Sequence, residues 1–195
     1  TKMPVALIDV LSAHHVKEGV LLALYQREKT GKGNTINVSL YDAAVSSLAN
    51  QASNYLMSDE IPQRIGSLHP NIAPYGEVFE TKDKAQICFA IGSDKHFTQL
   101  CQFLGLTNLA EDNRFFNNKS RVINRSELAL ILQKSISHLN SDSILKEMRV
   151  LNVPCGKIKN LKEVFSDKSA KDLILEEEID GRTTKRVRSK VFKWK

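Results

Sequence analysis

The chain has 195 residues, of which 42% are hydrophobic and 26% are charged, and its formal net charge is +6. These values are typical of a globular protein that can bury a sizeable core in one or two domains. No apolar run approaches the ~18 residues of a membrane-spanning helix, so no membrane partner is expected. Much of the positive charge lies in residues 182–195, where we interpret it as the solvent-exposed face of a strand. No nucleic-acid partner is therefore expected either.

The first third of the chain predicts alternating helices and one strand. An apolar, strand-like run leads to Asp9, and apolar residues at helical spacing begin at Val16. Gly31 ends this helix, because glycine adopts positive φ at low cost. Residues 35–38 alternate like a strand, and residues 39–57 predict one long helix with Ser39 as its N-cap.

The remainder predicts a smaller mixed region that begins with a shaped loop. The loop covers residues 64–76 and is followed by a hairpin and a helix capped by Ser93 or Asp94. The hairpin strands are residues 77–80 and 86–91, the helices are residues 96–104, 118–139, 141–151 (capped by Ser141) and 160–165, and the later strands are residues 153–158, 173–179 and 184–191.

The three cysteines are widely spaced and lie in apolar surroundings. Cys88, Cys101 and Cys155 form no CxxC pair and have no adjacent histidine cluster, so the sequence predicts free structural thiols and no metal site. Cys155 follows a proline, but no motif places a histidine that would activate it as a nucleophile.

Asp9 is the first candidate for chemistry. It lies between Ile8 and Val10, whose apolar side chains exclude water, while the N-terminus of the following helix favours the anion. A poorly solvated carboxylate is a usable nucleophile toward an acyl carbonyl. A simple capping role explains the spacing equally, so both interpretations stay open.

The loop after residue 63 is the second candidate. Its side chains at Arg64, Ser67, His69 and Asn71 can donate hydrogen bonds to an anion or a carbonyl group. Its two prolines are also typical of a loop that crosses between domains. Direct substrate contact and a purely structural role both fit.

Three segments together resemble the family III CoA-transferases, which include formyl-CoA and carnitine CoA-transferases and α-methylacyl-CoA racemase. Ala13 departs from the pattern, since the family often has glycine there, and suggests a tighter turn. The segments are Asp9 with ALYQREKTGKG (23–33) and SLYDA (39–43), RIGSLHPNIAPYGEVFETKD (64–83), and VPCGKIKNLKEVF (153–165).

The resemblance implies an α/β fold. Residues 1–60 would be the later part of a large Rossmann-like domain, and residues 61–195 a small α+β domain with a return segment at its C-terminal end. It also implies an interlocked homodimer and a chain that lacks the N-terminal half of its protein. A cytoplasmic location is expected, with mitochondrial and peroxisomal locations still open.

The resemblance also implies an enzyme that transfers coenzyme A from an acyl-CoA to a carboxylate acceptor through an aspartyl-CoA thioester on Asp9. The coenzyme A thioester is the substrate, and no cofactor is expected. Two alternatives stay open: an α-methylacyl-CoA racemase or epimerase, and a non-catalytic fragment or scaffold module. This chain alone is expected to be inactive. The substrate-binding residues implied are Arg64, Gly66, Ser67, His69, Asn71 and Asp94.

Overall fold

The computed structural model describes residues 4–192, so both ends of the chain, including the last three residues of the basic C-terminal segment, lie outside the described part. The chain divides into two compact units, one ending at Arg64 and the other beginning at Ile65. The mixture of helices and small antiparallel sheets confirms the α/β class. The assignment of these parts to two domains of a larger fold stays a prediction.

In the first unit, residues 4–64 contain three helices: α1 (Leu7–Thr30), α2 (Leu40–Ser46) and α3 (Ala49–Ser58). Because α1 begins at Leu7, Asp9 lies in its first turn. The strand-like run predicted before Asp9 is wrong, since residues 4–6 form no strand and residues 7 and 8 are already helical. The predicted end of α1 is confirmed: Gly31 has φ of 71°, and its amide donates to the carbonyl of Arg27 at 2.8 Å. No helix within residues 4–192 is long and apolar enough to cross a membrane.

The strand predicted at residues 35–38 is wrong, because this segment pairs with no strand among the described residues. Its Ile36 instead packs on α1 at Gly19, where an added Cβ would lie 2.7 Å from Ile36 Cγ2. Alternation alone predicts an extended backbone, but a strand also needs a partner for its hydrogen bonds.

The predicted cap at Ser39 is confirmed, since its hydroxyl accepts the amides of Tyr41 and Asp42 at the start of α2. The single long helix predicted there is wrong. It breaks between Ser46 and Ala49, where Ala49 has φ of 45°, a value outside the right-handed helical region.

The first unit holds no hydrophobic core within the described residues. Between residues 4 and 64, Ala43 is the only buried hydrophobic side chain, and α1 has no buried residue. Val20, Leu21 and Leu24 are all more than 40% exposed. An apolar helix face of this kind is normally covered by another element.

The second unit is built on a three-stranded antiparallel sheet with the order β1–β2–β3. A separate hairpin, β4–β5, follows later in the chain and turns at Asp180 and Gly181. All five strands were predicted from the sequence. Their bounds are β1 (Tyr75–Glu80), β2 (Gln86–Ala90), β3 (Cys155–Lys157), β4 (Ile174–Ile179) and β5 (Arg182–Val187).

Helices cover this sheet, and their contacts form the core. The helix predicted at residues 118–139 is two helices, broken at Asn124, whose side-chain amide donates to the carbonyls of Arg114 and Ser120. A last short helix, α9, was not predicted. The bounds are α4 (Asp94–Phe103), α5 (Asn118–Ile123), α6 (Arg125–Ile136), α7 (Ser141–Val150), α8 (Leu161–Val164) and α9 (Lys168–Lys171). The core includes Phe79, Ile87, Phe89, Phe97, Leu100, Leu128, Leu132, Ile136, Ile144 and Met148.

The cap of α7 comes from a distant turn. Asn140 occupies the N-cap position, so the prediction that Ser141 caps this helix is wrong. Asp83, in the turn between β1 and β2, accepts the Ser141 hydroxyl at 2.6 Å and its amide at 2.8 Å. These hydrogen bonds hold the pKa of the Asp83 carboxyl well below its usual range.

Strand β1 contains a bulge between Tyr75 and Val78, where the pairing with β2 shifts. Gly76 has φ of 90° in this bulge, and an added Cβ would lie 2.0 Å from the carbonyl oxygen of Ser67. Only glycine lets the preceding loop approach the strand so closely.

We expect Gly76→Ala to lower the free energy of unfolding by about 2 kcal/mol or more, because it adds both backbone strain and a clash with Ser67. Urea denaturation of the protein measures the change. Gly92→Ala is the matched control, since a Cβ at Gly92 meets no atom within 4 Å and its φ is not positive. Equal stability of the two variants would contradict the expectation.

Candidate functional site

The Asp9 side chain is exposed and makes no hydrogen bond or ion pair with the residues that the structure describes. Ile8 is half-buried and Val10 is 46% exposed, so this unit does not supply the desolvation expected from the two apolar neighbours. Asp9 is therefore an accessible carboxylate here.

Asp9 lies at the N-terminal end of α1. Asp9 is the third residue of the helix, close to backbone amides that have no intrahelical acceptor. The N-cap residue is Ala6, and no side chain makes a cap hydrogen bond. The capping role considered for Asp9 is therefore not observed. Ala13 lies within the helix, so the tighter turn expected there is also wrong.

The second unit holds most of the predicted binding loop. Arg64 is exposed and is the last residue of the first unit. Gly66 follows in a turn with φ of 67°. The Ser67 hydroxyl donates to the carbonyl of Gly76 at 2.6 Å, which ties the loop to the bulge of β1.

Hydrogen bonds within the loop fix His69 and Asn71. The His69 amide donates to the Tyr75 carbonyl at 2.9 Å, and the Asn71 amide donates to His69 Nδ1 at 3.1 Å. A neutral His69 therefore carries its proton on Nε2. The backbone amides of Gly66 and Ser67, by contrast, donate to no acceptor among the described residues.

Arg121 of α5 is fully buried and connects three segments of the second unit. Its Nε donates to the Ala73 carbonyl at 2.8 Å, its Nη1 to the Phe115 carbonyl at 3.0 Å, and its Nη2 to Asp94 Oδ1 at 2.6 Å. Its guanidinium also lies 4.5 Å from the centre of the Phe97 ring. Each donor nitrogen of this buried cation is thus used.

Asp94 does not cap α4. The Ser93 hydroxyl accepts the His96 amide at 3.2 Å, whereas the Asp94 carboxylate pairs with Arg121 and stays 59% exposed. The capping role considered for Asp94 is therefore wrong, and its role in substrate binding stays a prediction.

Three polar residues that hold the loop were not predicted from the sequence. Asn118, Arg121 and Arg125 all hydrogen-bond to loop backbone between residues 69 and 73. In the single helix predicted for residues 118–139, their spacing of three and four residues would place them on one face, although Arg125 belongs to α6 and the other two to α5. That spacing was the one sign in the sequence that the three side chains act together. The same spacing is also found on ordinary solvent-exposed helix faces.

The structure therefore brings part of the predicted set together. Ser67, His69 and Asn71 lie around the β1 bulge, and Asp94 is joined to the end of their loop through Arg121. Asp9 belongs to the first unit.

The cysteines are free thiols, and within residues 4–192 no three His, Cys, Asp or Glu side chains are grouped to hold a metal ion. Burial raises the pKa of the Cys155 thiol to about 12, with a smaller contribution from the nearby Cys88. Burial also raises the pKa of Cys101 to about 12. These thiols are protonated at neutral pH, which does not suit a nucleophile.

Comparison with known proteins gives a consistent result. The family model described as CoA-transferase family III matches residues 1–195. The succinate–glutarate CoA-transferase of Agrobacterium fabrum is 36% identical over 85% of this chain and 41% of its own length. The human succinyl-CoA:glutarate CoA-transferase is 32% identical over 84% of this chain and 37% of its own length.

A solved structure is similar to this chain over nearly its whole length. A CAIB/BAIF family protein from Brucella suis is 34% identical and superposes with a TM-score of 0.70, covering 98% of this chain and 50% of that protein. The chain thus spans half or less of the length of these relatives.

We expect Cys155 to react with iodoacetamide at pH 8.5 at least ~100-fold more slowly than free cysteine, because its raised pKa leaves little thiolate. Mass spectrometry of the labelled peptide measures the rate, and the same protein unfolded in concentrated urea is the control. Reaction should accelerate only as the pH approaches about 12. Labelling at the rate of the unfolded chain would show that the thiol is not protected.

Proposed function

The chain belongs to CoA-transferase family III, and we propose that it serves the transfer of coenzyme A from an acyl-CoA thioester to a carboxylic acid. The relatives reported above are named for succinate and glutarate, so we take short dicarboxylic acids as the substrate class. The observation that carries the proposal is Asp9, an exposed and unpaired carboxylate in the first turn of α1.

In the proposed reaction, the Asp9 carboxylate attacks the carbonyl carbon of the acyl-CoA and expels the coenzyme A thiolate. The thiolate then attacks the aspartyl carbonyl of the resulting anhydride, which releases the donor acid and leaves an aspartyl-CoA thioester. The acceptor carboxylate attacks this thioester and expels the thiolate again. Attack of the thiolate on the acceptor's acyl carbon forms the new acyl-CoA and restores Asp9.

These steps require an ionised carboxylate and no net proton transfer. The exposed position of Asp9 supports this, since its carboxylate is accessible to a substrate carbonyl. Splitting one difficult exchange into covalent steps is the advantage of nucleophilic catalysis.

Each addition to a carbonyl also creates an oxyanion, which backbone amides stabilise effectively. In the second unit, Gly66 and Ser67 have amides that no other described residue engages. We assign them as oxyanion donors within the same proposal.

The remaining parts of the proposal rest on the family resemblance. They are an interlocked homodimer, a cytoplasmic location, and coenzyme A thioester as substrate without a further cofactor. Arg64, His69, Asn71 and Asp94 remain proposed substrate-binding residues.

We expect Asp9→Asn, made in the whole protein, to reduce transfer at least ~1,000-fold, because the amide is not a nucleophile. Asp42→Asn is a matched control, since Asp42 is also exposed and is the third residue of its helix. The control should stay within about twofold of the wild type. Steady-state transfer from succinyl-CoA to glutarate measures both variants, and equal rates would refute the role of Asp9.

Rapid quenching of the protein with succinyl-CoA or glutaryl-CoA should reveal a coenzyme A adduct on the peptide that carries Asp9. Hydroxylamine trapping and peptide mass spectrometry detect it. Deuterium uptake at the α-carbon of a methylacyl-CoA without an adduct would instead support the racemase alternative. If neither signal is present with any thioester tested, the non-catalytic scaffold is the better interpretation.

A further inference from the structure

The Arg125 guanidinium joins the loop to the sheet through four hydrogen bonds. Its Nε and Nη2 donate to Glu77 Oε1 at 3.1 and 3.0 Å. Its Nη1 donates to the His69 carbonyl at 2.9 Å, and its Nη2 donates also to the Ile72 carbonyl at 3.0 Å. One planar group therefore holds both ends of the turn formed by residues 69–72, a geometry that a lysine ammonium cannot reproduce.

The bulge of β1 makes this contact possible. A bulge inserts an extra residue and redirects the side chains beside it. Here the pairing shifts between Tyr75 and Val78, and both intervening residues hold the loop. The Gly76 carbonyl accepts the Ser67 hydroxyl, and the Glu77 carboxylate binds Arg125.

The burial of this pair shows that stability alone does not explain it. The Arg125 side chain is 17% exposed and that of Glu77 is 8% exposed. Glu77 Oε2 is buried and has no hydrogen-bond partner among the described residues. Removing two charges from water is costly, and well-packed apolar residues often replace a buried ion pair without loss of stability. What an apolar pair cannot replace is the hydrogen bonding to the two loop carbonyls.

We propose that Arg125 is a positioning residue that, oriented by Glu77, sets the backbone conformation of residues 65–72. The loop amides at Gly66 and Ser67 lie just before the turn that Arg125 holds, so in this proposal their orientation depends on it. The kinetic consequence rests on the proposed function, in which these amides stabilise an oxyanion. The structural consequence does not depend on it.

Hydrogen exchange of the whole protein tests the structural consequence. Arg125→Lys should raise exchange at the amides of His69 and of residues 71–73 about tenfold or more, because the turn loses its two-point attachment, while β2 stays protected. Arg114→Lys is the matched control, since Arg114 is half-exposed and pairs with Asp112 and Glu127 on the surface. Unchanged exchange at residues 69–73, or an equal rise throughout the second unit, would overturn the proposal.

Kinetics of a double variant test the functional consequence. Glu77→Leu with Arg125→Met replaces the buried pair by apolar side chains, whose packing offsets the loss of the hydrogen bonds to the His69 and Ile72 carbonyls, so its urea midpoint should stay close to that of the wild type. Its kcat should nevertheless fall about 10- to 100-fold with KM changed less than about threefold, as expected when only transition-state stabilisation is lost. A wild-type kcat, or a raised KM with kcat unchanged, would overturn the positioning role.

The two experiments separate this proposal from the proposed function. A wild-type protein that transfers no coenzyme A refutes the proposed function, and hydrogen exchange still decides the role of Arg125. An active wild type with an equally active double variant refutes the positioning role alone.

Discussion

The second unit depends on the buried guanidinium of Arg121. This one cation donates to the carbonyls of Ala73 and Phe115 and to the carboxylate of Asp94, while its face lies against Phe97. A buried charge is tolerated only when its hydrogen bonds are complete, and here they fix the relative positions of the loop, α4 and α5. Loss of the guanidinium would leave two buried carbonyls without their donor.

Arg121 and Arg125 hold the loop by its backbone rather than by its side chains. The carbonyls of His69, Ile72 and Ala73 accept from them, and further attachments come from Asn118 and from the Ser67 hydroxyl. A loop attached in this way keeps its conformation when exposed side chains change.

The proposed nucleophile and the hydrophobic core belong to different units. The first unit carries the proposed nucleophile, Asp9, on a helix whose apolar face is exposed. The second unit contains the hydrophobic core, which runs from the sheet at Phe79 and Phe89 to α6 and α7. Rigid packing beneath the loop gives it a fixed base, because a close-packed core resists displacement.

The sequence by itself determined the features that depend on neighbouring residues. The cap at Ser39, the helix end at Gly31 and the five strands follow from local propensity, and the motif around Asp9 indicated the family that the comparisons show. Only the tertiary structure decided features that depend on distant partners. Residues 35–38 form no strand because no partner strand is present among the described residues, and α7 is capped by Asp83, 58 positions away. Arg125 was missed for the same reason, since in sequence a buried arginine looks like a solvated one, and only its contacts across the fold reveal what it holds.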